Sequence, residues 1–412
     1  MRYLYTLAVY AYYLVVVIAA WLGNVKARKW VEGRKHIWDA PEPPHAKDAD
    51  WIWFHVSSLG EFEQARPLIE KIKAECPQKK ILLSFFSPSG YEIRKDYQFA
   101  DHCIYLPIDT TTNARRLLDR YHITMAVFVK YEFWFNYIKV LHDRSIPLLY
   151  ISVILRPNQY FFRWYGRWFR KQLLLVSRYF VQDERTADLL AGIGAEHVEV
   201  CGDTRFDRVY AIATTAKPFP MVKDFINGRS CVVIGSSWPA DERLIRDFLT
   251  KMPDDYCLII APHDVSAPHV SAIQSWFSSS QRYSDYNPDT ECNVLIIDTI
   301  GILSQLYQYA RFVYVGGGFG VNIHNIQEPV VYGCPVVFGP KYHSFKEAVD
   351  LVELGGAFSV SNQQELNNVF LCLMHDDETY LSASKICIDY VNAQVGATDA
   401  IMRVLQSEFR HS

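Results

Sequence analysis

Acidic side chains and glycines occur together at places where the sequence could support group-transfer chemistry. In Ser57-Ser-Leu-Gly-Glu61, Gly60 allows a tight turn, and Glu61 then opens a helix whose free N–H groups favour its ionised form. An ionised carboxylate at such a position can accept a proton from a substrate hydroxyl. The alternative is that Glu61 only complements the helix dipole.

A glycine-rich segment, Gly316-Gly-Gly-Phe-Gly320, precedes His324-Asn-Ile-Gln-Glu-Pro329. Glycines between a strand and a helix expose backbone N–H groups that can hold a phosphate, and a glutamate one turn into the helix can bind ribose hydroxyls. The alternative is a tight turn followed by an ordinary helix start. The sequence has no P-loop and no Gly-x-Gly-x-x-Gly after its first strand, which disfavours ATP and NAD as ligands.

Two further charged side chains are candidates for a substrate site. Arg205 could neutralise an anionic substrate, or it could form a surface salt bridge with Asp203 or Asp207. Glu132 follows a predicted strand and stands beside aromatic residues such as Trp134, an arrangement that suits sugar binding. Core packing explains those aromatic residues equally well.

The N-terminus predicts a membrane anchor. Tyr3 to Leu22 is an apolar run with Thr6 as its one clearly polar residue, and a helix of this length reaches roughly 30 Å, enough to cross a bilayer core. The basic residues behind the run place the rest of the chain in the cytoplasm, on the inner face of the membrane. These residues are Lys26, Arg28, Lys29, Arg34 and Lys35. The tyrosines within the run leave an alternative, in which the helix lies in the interface or packs on the domain.

A second segment also suits a membrane surface. Arginines and aromatic residues interleave from Phe161 to Lys171, with Arg163, Arg167 and Arg170 at helical spacing. A helix of this kind could bind anionic headgroups. A solvated basic face opposite an aromatic core face is the alternative.

Short apolar runs alternate with amphipathic stretches such as Phe62–Cys76 and Asn113–Tyr121, which predicts two successive series of strands and crossover helices. The first series of strands is Trp51–Ser57, Ile81–Phe86, Met125–Val129, Leu148–Val153 and Tyr179–Val181. The second is Cys231–Ile234, Cys257–Ala261, Val294–Ile297, Phe312–Val315 and Val336–Phe338.

The sequence therefore predicts two doubly wound α/β domains facing across a cleft. The expected organisation is an anchor over 1–25, an N-terminal domain over 26–216, a linker over 217–230 and a C-terminal domain over 231–412. The last helix of the C-terminal domain could pack back on the N-terminal one. Ligand sites in such sheets lie at the carboxyl ends of the strands.

Composition excludes several classes of protein. The chain has 412 residues and a net charge of −3, and it therefore lacks the basic excess of an electrostatic nucleic-acid binder. Its nine cysteines include no Cys-x-x-Cys pair, which argues against a disulfide framework or a zinc cluster and favours reduced thiols in the cytoplasm.

These motifs, taken in order, resemble those of the Kdo transferases, which transfer 3-deoxy-D-manno-oct-2-ulosonic acid in lipopolysaccharide synthesis. The resemblance runs from the anchor nearly to the C-terminus. It rests on Ser57–Glu61, Glu132–Asn136, Gly202–Asp207, Ala261–His263, Gly316–Gly317, His324–Pro329 and Phe338–Pro340. It implies a GT-B glycosyltransferase that uses CMP-Kdo as donor and a disaccharide lipid A precursor as acceptor. Such enzymes invert the anomeric centre and need neither a metal nor another cofactor. No obligate protein partner is expected.

The resemblance also assigns residues. It makes Glu61 the general base and places Glu132 and Arg205 near the transition state, although the family usually has Lys where Arg205 stands. On the acceptor side it implies Ser58 and Gly60, with Arg156 as a substitute for an arginine that Ser152-Val-Ile-Leu lacks. For the CMP moiety it implies Pro262, His263, Ile300, Gly301, Ile302, Gly317, Gly318, Asn325, Ile326, Gln327 and Glu328.

Two positions in the donor set depart from the family pattern. His263 stands where the family has Arg, and Ile302 stands where it has Glu. Two alternatives remain open at this stage: another GT-B enzyme such as a sugar-nucleotide 2-epimerase, and a catalytically silent membrane scaffold.

Overall fold

The structure, a computed structural model, describes residues 1–39, 41–248, 252–277 and 279–409. The chain forms two compact units. The first comprises Met1–Asp207 and Val395–Ser412, and the second comprises Arg208–Gln394. Each unit is built on a seven-stranded sheet whose paired strands are all parallel.

The sheet of the first unit has the strand order β3-β2-β1-β4-β5-β6-β7. Its strands are β1 (Trp51–Val56), β2 (Lys80–Phe85), β3 (His102–Tyr105), β4 (Ile123–Val129), β5 (Leu148–Val153), β6 (Arg178–Val181) and β7 (Val198–Val200). The helices are α1 (Arg2–Trp21), α2 (Val25–Lys35), α3 (Leu59–Glu75), α4 (Pro88–Arg94), α5 (Thr111–Arg120), α6 (Phe135–Asp143), α7 (Arg167–Leu173) and α8 (Glu184–Ala191). Helix α9 (Thr204–Thr214) contains the boundary between the units.

The sheet of the second unit has the order β10-β11-β9-β8-β12-β13-β14. Its strands are β8 (Ser230–Ser237), β9 (Tyr256–Pro262), β10 (Ser280–Arg282), β11 (Val294–Ile296), β12 (Phe312–Val315), β13 (Val336–Phe338) and β14 (Ala357–Ser359). The helices are α10 (Pro220–Ile226), α11 (Pro239–Phe248), α12 (Ala267–Gln274), α13 (Leu303–Leu306), α14 (Gln327–Val330), α15 (Lys346–Leu354), α16 (Gln363–His375) and α17 (Asp377–Gln394). Residues 217–230, predicted as a linker, contain α10 and belong to this unit.

All ten predicted strands are present, and four further strands are not among the predictions. The ten are apolar runs, and those at the sheet centres, such as β1, are buried along their whole length because helices cover both faces of a parallel sheet. The four unpredicted strands are β3, β7, β10 and β14, which are the edge strands of the two sheets. They have only three or four residues and are partly exposed, so they carry little apolar signal.

The last helix, α18 (Ala397–Phe409), belongs to the first unit. Its apolar face, formed by Ile401, Met402 and Leu405, lies in one of the two cores of that unit. Asp207 accepts hydrogen bonds from the backbone N–H groups of Gly396 and Thr398, at 2.6 Å each. A hydrophobic core of the first unit is therefore completed by the C-terminal end of the chain.

Helix α1 is apolar and long enough, by length and composition, to cross a membrane, and it also packs on the first unit along one face. The Arg2 side chain donates to Asn136 and Thr111, and the Tyr5 hydroxyl donates to the buried Asp109 at 2.5 Å. Tyr12 stacks on Phe86. These contacts account for Tyr5 and Tyr12 inside the apolar run and match the alternative in which the helix packs on the domain.

The aromatic and basic segment Phe161–Lys171 is not the single helix that its spacing predicts. Two 3₁₀ turns, Tyr160–Phe162 and Trp164–Gly166, lead into α7. The Arg170 guanidinium donates to the carbonyls of Phe161 and Arg163, and so it stabilises the turns. Gly166 lies so close to the Phe161 carbonyl that a Cβ atom would clash, which explains the compact bend.

Candidate active site

Two of the predicted catalytic side chains flank the point where strand order reverses in the first sheet. From β1 the chain passes to β2 on one side and later to β4 on the other. Glu61 follows β1, and Glu132 follows β4, the neighbouring strand. Doubly wound sheets bind ligands at this crevice beyond the carboxyl ends of the strands. The fold thus brings together two carboxylates that are 71 positions apart in sequence (132 − 61).

Glu61 lies in the first turn of α3 and is buried. Its carboxylate accepts a hydrogen bond from the backbone N–H of Ser57, and the Ser58 N–H also favours its ionised form. Burial nevertheless raises the Glu61 pKa, with the charge of Lys130 acting in the opposite direction. The backbone N–H groups at the helix start favour the ionised form, as the sequence predicts, but burial opposes them.

Gly60 occupies a helical position and not the special turn conformation that the sequence suggests. It is absent from the glycines with positive φ, and a Cβ atom there would meet only the Ser58 Oγ, at 3.9 Å. The exposed Gly60 backbone therefore leaves open space beside Glu61. Ser58 is the residue that precedes α3, and it makes no side-chain cap.

The pKa of Glu132 is raised to about 8. Burial is the main cause, and the nearby Glu61 charge adds to it. Hydrogen bonds from Ser57 and Trp134 and the charge of Lys130 offset part of the increase. At neutral pH Glu132 is therefore mostly protonated, while Glu61 has the stronger set of backbone donors.

A buried histidine fixes the loop that carries Glu132. The Trp134 indole N–H donates to His55 Nε2 at 2.9 Å, and since an indole can only donate, Nε2 carries no proton. His55 Nδ1 lies 2.9 Å from Ser84 Oγ. Burial lowers the pKa of His55 to about 3, so the ring is neutral. Lys130, in the same loop, has a left-handed backbone with φ of 58°. This conformation is strained for lysine and commonly marks functional loops.

Arg205 forms an ion pair with Asp203, one of the two alternatives predicted from the sequence. Its guanidinium lies 2.7 Å from the Asp203 carboxylate, which also accepts from the Gln64 amide at 2.9 Å. Although burial raises the pKa of Asp203, the charge and hydrogen bonds of Arg205 lower it more. Thr204 donates to the Gln64 carbonyl. The segment therefore supports α3, which carries Glu61, and the pair is partly buried and not on the open surface.

Arg156 follows β5 and is exposed. Its charge lowers the pKa of Tyr131, which burial and the charges of Glu61 and Glu132 raise more strongly. Arg156 and Tyr131 consequently lie beyond the carboxyl ends of the strands, as the two carboxylates do. Tyr131 was not among the predicted residues, because a half-exposed tyrosine in a loop gives no sequence signal.

The predicted donor residues lie in the second unit, again beyond the carboxyl ends of neighbouring strands. Pro262 ends β9, and His263 follows it. Gly317 and Gly318 follow β12. Ile300, Gly301 and Ile302 form the turn between β11 and α13, with Gly301 at φ of 97°. Ile300 is 86% exposed, so it has no packing role within this unit.

The glycine loop after β12 is shaped by close backbone packing. Gly318 lies against Gly339, where a Cβ atom would come within 2.6 Å of the Gly339 nitrogen. The backbone N–H groups of Gly316, Gly317 and Gly320 already have partners within the protein. The expected helix does not follow directly, because α14 begins only at Gln327 and has four residues. Gly318 is therefore separated from the start of α14 by residues 319–326, so its backbone does not form the start of a helix.

Glu328 lies in the first turn of α14 beside Asn325, whose amide donates to its carboxylate at 3.2 Å. Burial raises the pKa of Glu328, while Asn325 and the charge of Arg208 lower it. Ile326 is buried, and the adjacent Gln327 is buried with neither amide atom hydrogen-bonded. The pair Asn325 and Glu328 thus presents polar atoms at the site, while Ile326 packs in the core.

Asp241 is a functional candidate that the sequence analysis missed. Its carboxylate is buried and accepts from Trp238 N–H at 2.9 Å, Gly317 N–H at 3.0 Å and the Tyr314 hydroxyl at 2.7 Å. It therefore ties the loop after β8 to the glycine loop after β12. It lies in the first turn of α11, a helix that was not predicted from the sequence. Among the residues that the structure describes, no group of three or more His, Cys, Asp or Glu side chains could hold a metal ion.

Known proteins match this architecture and sequence. The family model described as 3-deoxy-D-manno-octulosonic-acid transferase (kdotransferase) matches residues 29–208. A 3-deoxy-D-manno-octulosonic acid transferase of Aquifex aeolicus is 26% identical over 325 residues, which cover 76% of this chain and 83% of that protein. A bifunctional glycosyltransferase/methyltransferase of Fusobacterium nucleatum is 26% identical over 77% of this chain, which spans about half (52%) of that relative.

Solved structures share the fold at low sequence identity. A UDP-GlcNAc 2-epimerase from Neisseria meningitidis superposes with a TM-score of 0.59 and 17% identity, covering 87% of this chain and 100% of that chain. Acinetobacter baumannii MurG gives a TM-score of 0.55 at 14% identity, covering 87% and 99%.

Two doubly wound units of this kind define a GT-B fold, and the matched sequences make the protein a glycosyltransferase. Within that class, residues 29–208 match the Kdo transferase family model, and the chain is similar in sequence to Kdo transferases of several bacteria.

Proposed function

We propose that the protein transfers Kdo from CMP-Kdo to a disaccharide lipid A precursor during lipopolysaccharide synthesis. The observation that carries this proposal is the buried pair of Glu61 and Glu132 at the switch point of the first sheet, within the residues that match the Kdo transferase family model. A paired base and acid at that position suit a reaction that deprotonates a sugar hydroxyl.

In the proposed reaction Glu61 accepts the proton of the acceptor hydroxyl as that oxygen attacks the anomeric carbon of Kdo. The bond from the anomeric carbon to the CMP phosphate breaks in the same displacement, so the configuration inverts. Because Glu132 holds a proton at neutral pH, it can donate a hydrogen bond to an anionic oxygen of the donor sugar. Ser58, Gly60 and Arg156 would line the acceptor side.

Arg205 is our candidate for neutralising the Kdo carboxylate. Its ion pair with Asp203 keeps the guanidinium fixed, and its side chain keeps 21% of its surface exposed. Lys130 supplies a second positive charge that acts on Glu61, Glu132 and Asp203. Since two carboxylates and an anionic donor sugar meet here, both cations lower the electrostatic cost of binding.

On the donor side, Asn325 and Glu328 would bind the ribose, and His263 and the loops at Gly301 and Gly317–Gly318 would contact the CMP phosphate and base. Gln327 would contribute its amide. No step of this proposal uses a metal ion or another cofactor. The proposed location is the cytoplasmic face of the inner membrane, supported by the exposed apolar side chains of α1 and the basic residues of α2.

The test is mass spectrometry of products formed from CMP-Kdo and a tetra-acylated disaccharide lipid A precursor. We expect the acceptor mass to increase by one or more Kdo units, and one CMP to be released for each Kdo that is transferred. The matched control is Glu61→Gln in the same membrane preparation. No change in acceptor mass with native protein, at any enzyme concentration, would overturn the proposal.

A sugar-nucleotide 2-epimerase is the second candidate, because solved epimerases share the fold over most of the chain. That likeness concerns the fold alone. Incubation with UDP-GlcNAc and analysis of the sugar released after mild acid separates the two functions, since an epimerase yields the 2-epimer without any acceptor. A catalytically silent scaffold would be inactive in both assays.

A further inference from the structure

Three aromatic rings form a stack in the second unit, beyond the carboxyl ends of β8, β9 and β12. The Trp238 and His324 rings are nearly coplanar, with an interplanar angle of 9° and centroids 6.3 Å apart. They are joined edge to edge by a hydrogen bond of 2.9 Å from the indole Nε1–H to His324 Nε2. The His263 ring lies over both, with its centroid 4.3 Å from that of Trp238 and 4.8 Å from that of His324.

The hydrogen bond fixes the chemical state of His324. Since an indole can only donate, Nε2 accepts, and the proton of the neutral ring is on Nδ1. Burial and the neighbouring His263 lower the pKa of His324, while Asp241 raises it less. His324 therefore remains an uncharged partner, and Trp238 and His324 together present a flat neutral surface to His263.

Support from the backbone makes this surface rigid. The Trp238 N–H donates to Asp241, which also holds Gly317, and the His324 N–H donates to the Gly316 carbonyl. The His263 N–H donates to the Ser237 carbonyl. The three loops are thus tied together at the strand ends, and His263 itself is exposed.

We propose that Trp238 and His324 are positioning residues that hold the His263 imidazole where it contacts the phosphate of the bound nucleoside monophosphate. This inference rests on the proposed function, which places CMP in the second unit. A protonated imidazole stacked on an indole face is stabilised by the ring's negative quadrupole, and it can then pair with a phosphate oxygen. Neither the sequence analysis nor the family resemblance gives Trp238 or His324 a functional role.

The proposal makes donor binding dependent on pH. Imidazole is the side chain that changes its charge between pH 5 and 8, so an imidazole–phosphate contact weakens as the pH rises. The other titratable groups around the stack are Asp241 beside His324, Asp264 next to His263, and Glu242, which is bonded to His269. The comparison of variants at each pH cancels the contribution of these groups.

The first experiment is a double-mutant cycle with CMP binding measured by calorimetry on the full-length protein at pH 6.5. We expect Trp238→Ala to weaken CMP binding about fivefold, the scale of a lost cation–π contact. In a His263→Ala background the same change should have almost no effect, because there is no imidazole left to position. An equal loss in both backgrounds would overturn the inference, since Trp238 would then act on CMP directly.

The second experiment compares pH 6.5 with pH 8.0. Native protein should lose CMP affinity several-fold over this range, and His263→Arg, which is charged throughout, should lose far less. Trp238→Phe keeps a stacking ring without the N–H, and it should fall between native protein and Trp238→Ala. Equal pH dependence of native and His263→Arg proteins would contradict the positioning role. If native protein bound no CMP at either pH, the proposed donor would be overturned as well.

Discussion

The two glutamates at the switch point are the same residue type with different proton affinities, and their surroundings explain the difference. Glu61 receives backbone N–H groups from Ser57 and Ser58, whereas Glu132 has neutral side-chain donors and feels the Glu61 charge. Burial raises the pKa of both. Pairs whose environments separate their pKa values in this way commonly divide the roles of base and acid.

Glu61→Gln should abolish most of the turnover. The amide keeps the size of the side chain but cannot take the proton, so we expect a loss of at least roughly a hundredfold in kcat. CMP affinity should be nearly unchanged, because the proposed donor residues belong to the second unit. Steady-state kinetics with saturating CMP-Kdo would measure this. Near-normal turnover in the variant would show that the proton goes elsewhere, and Glu132 would be the next residue to test.

Glu132 should make the protein less stable as the pH rises. Its folded-state pKa of about 8 lies above the ordinary value of 4.5, so the folded state binds a proton that the unfolded state releases. The stabilising contribution is complete below the ordinary value and is lost as the pH approaches 8. The slope for a single group is at most about 1.4 kcal/mol per pH unit.

The measurement is the difference in the free energy of unfolding by denaturant between native protein and Glu132→Gln, taken at pH 5.5 and at pH 8.0. We expect the variant to gain stability relative to native protein on going to pH 8.0, because an amide has no charge to bury. A difference that is independent of pH would show that Glu132 titrates normally.

At the residue scale, the sequence indicates which side chains follow the strands better than it indicates which of them are in contact. Glu61 and Glu132 each follow an apolar strand, which a motif can show, but their pairing depends on β4 lying beside β1 in the sheet. The His55–Trp134 bond and the links made by Asp241 depend likewise on which strand ends are neighbours. The raised pKa of Glu61 could not be predicted, because burial is a property of the fold.

Central and edge strands differ in how much of the fold the sequence could predict. The strands inside each sheet are apolar runs because both faces of the sheet are covered, and all of them were predicted, including strands of only three residues such as β13. An edge strand such as β7, Val198–Val200, has three residues and is partly exposed, so its sequence does not distinguish it from a loop. Likewise the spacing of Phe161–Lys171 predicted a helix, while the close packing at Gly166 produces a bend.

Helix α1 has two different faces: one packs on the first unit, and the opposite face is exposed. Tyr5→Phe should lower the stability of the protein by about 1–3 kcal/mol, because the buried Asp109 loses its hydroxyl donor. Burial raises the pKa of Asp109 to about 6 despite that donor. Thermal unfolding of native and variant protein in the same detergent would measure the effect.

Tyr3→Phe is the matched control, since Tyr3 is 91% exposed and should tolerate the change. Equal melting temperatures for Tyr5→Phe and Tyr3→Phe would show that α1 detaches from the unit in solution. Deleting residues 1–25 would remove the same hydrogen bonds, so point variants separate packing from membrane binding more cleanly.

At the scale of the whole molecule, the chain folds its two ends into one unit. The N-terminal α1 and the C-terminal α18 both pack on the first unit, and the second unit consists of one continuous segment. This arrangement puts the exposed apolar residues of α1 in the unit that carries Glu61 and Glu132. If the proposed function holds, a lipid acceptor could reach the first unit without leaving the bilayer.

The exposed face of α1 should hold the protein on membranes. Leu7 and Leu14 are 64% and 59% exposed, and Trp164, near Arg163 and Arg167 in sequence, is 89% exposed. Replacing both leucines by serine should weaken binding to vesicles at least about tenfold, because each leucine contributes about 1 kcal/mol or more when it enters the acyl region. Sedimentation with vesicles containing anionic lipid would measure the bound fraction.

Leu354→Ser provides the control for this change, since Leu354 is 57% exposed but belongs to the second unit. It should bind vesicles like native protein. The binding left in the double serine variant should fall with added salt, because screening weakens the attraction between the arginines and anionic headgroups. If the double variant binds as tightly as native protein, α1 serves packing alone, and the proposed lipid acceptor would have to reach the first unit through another surface.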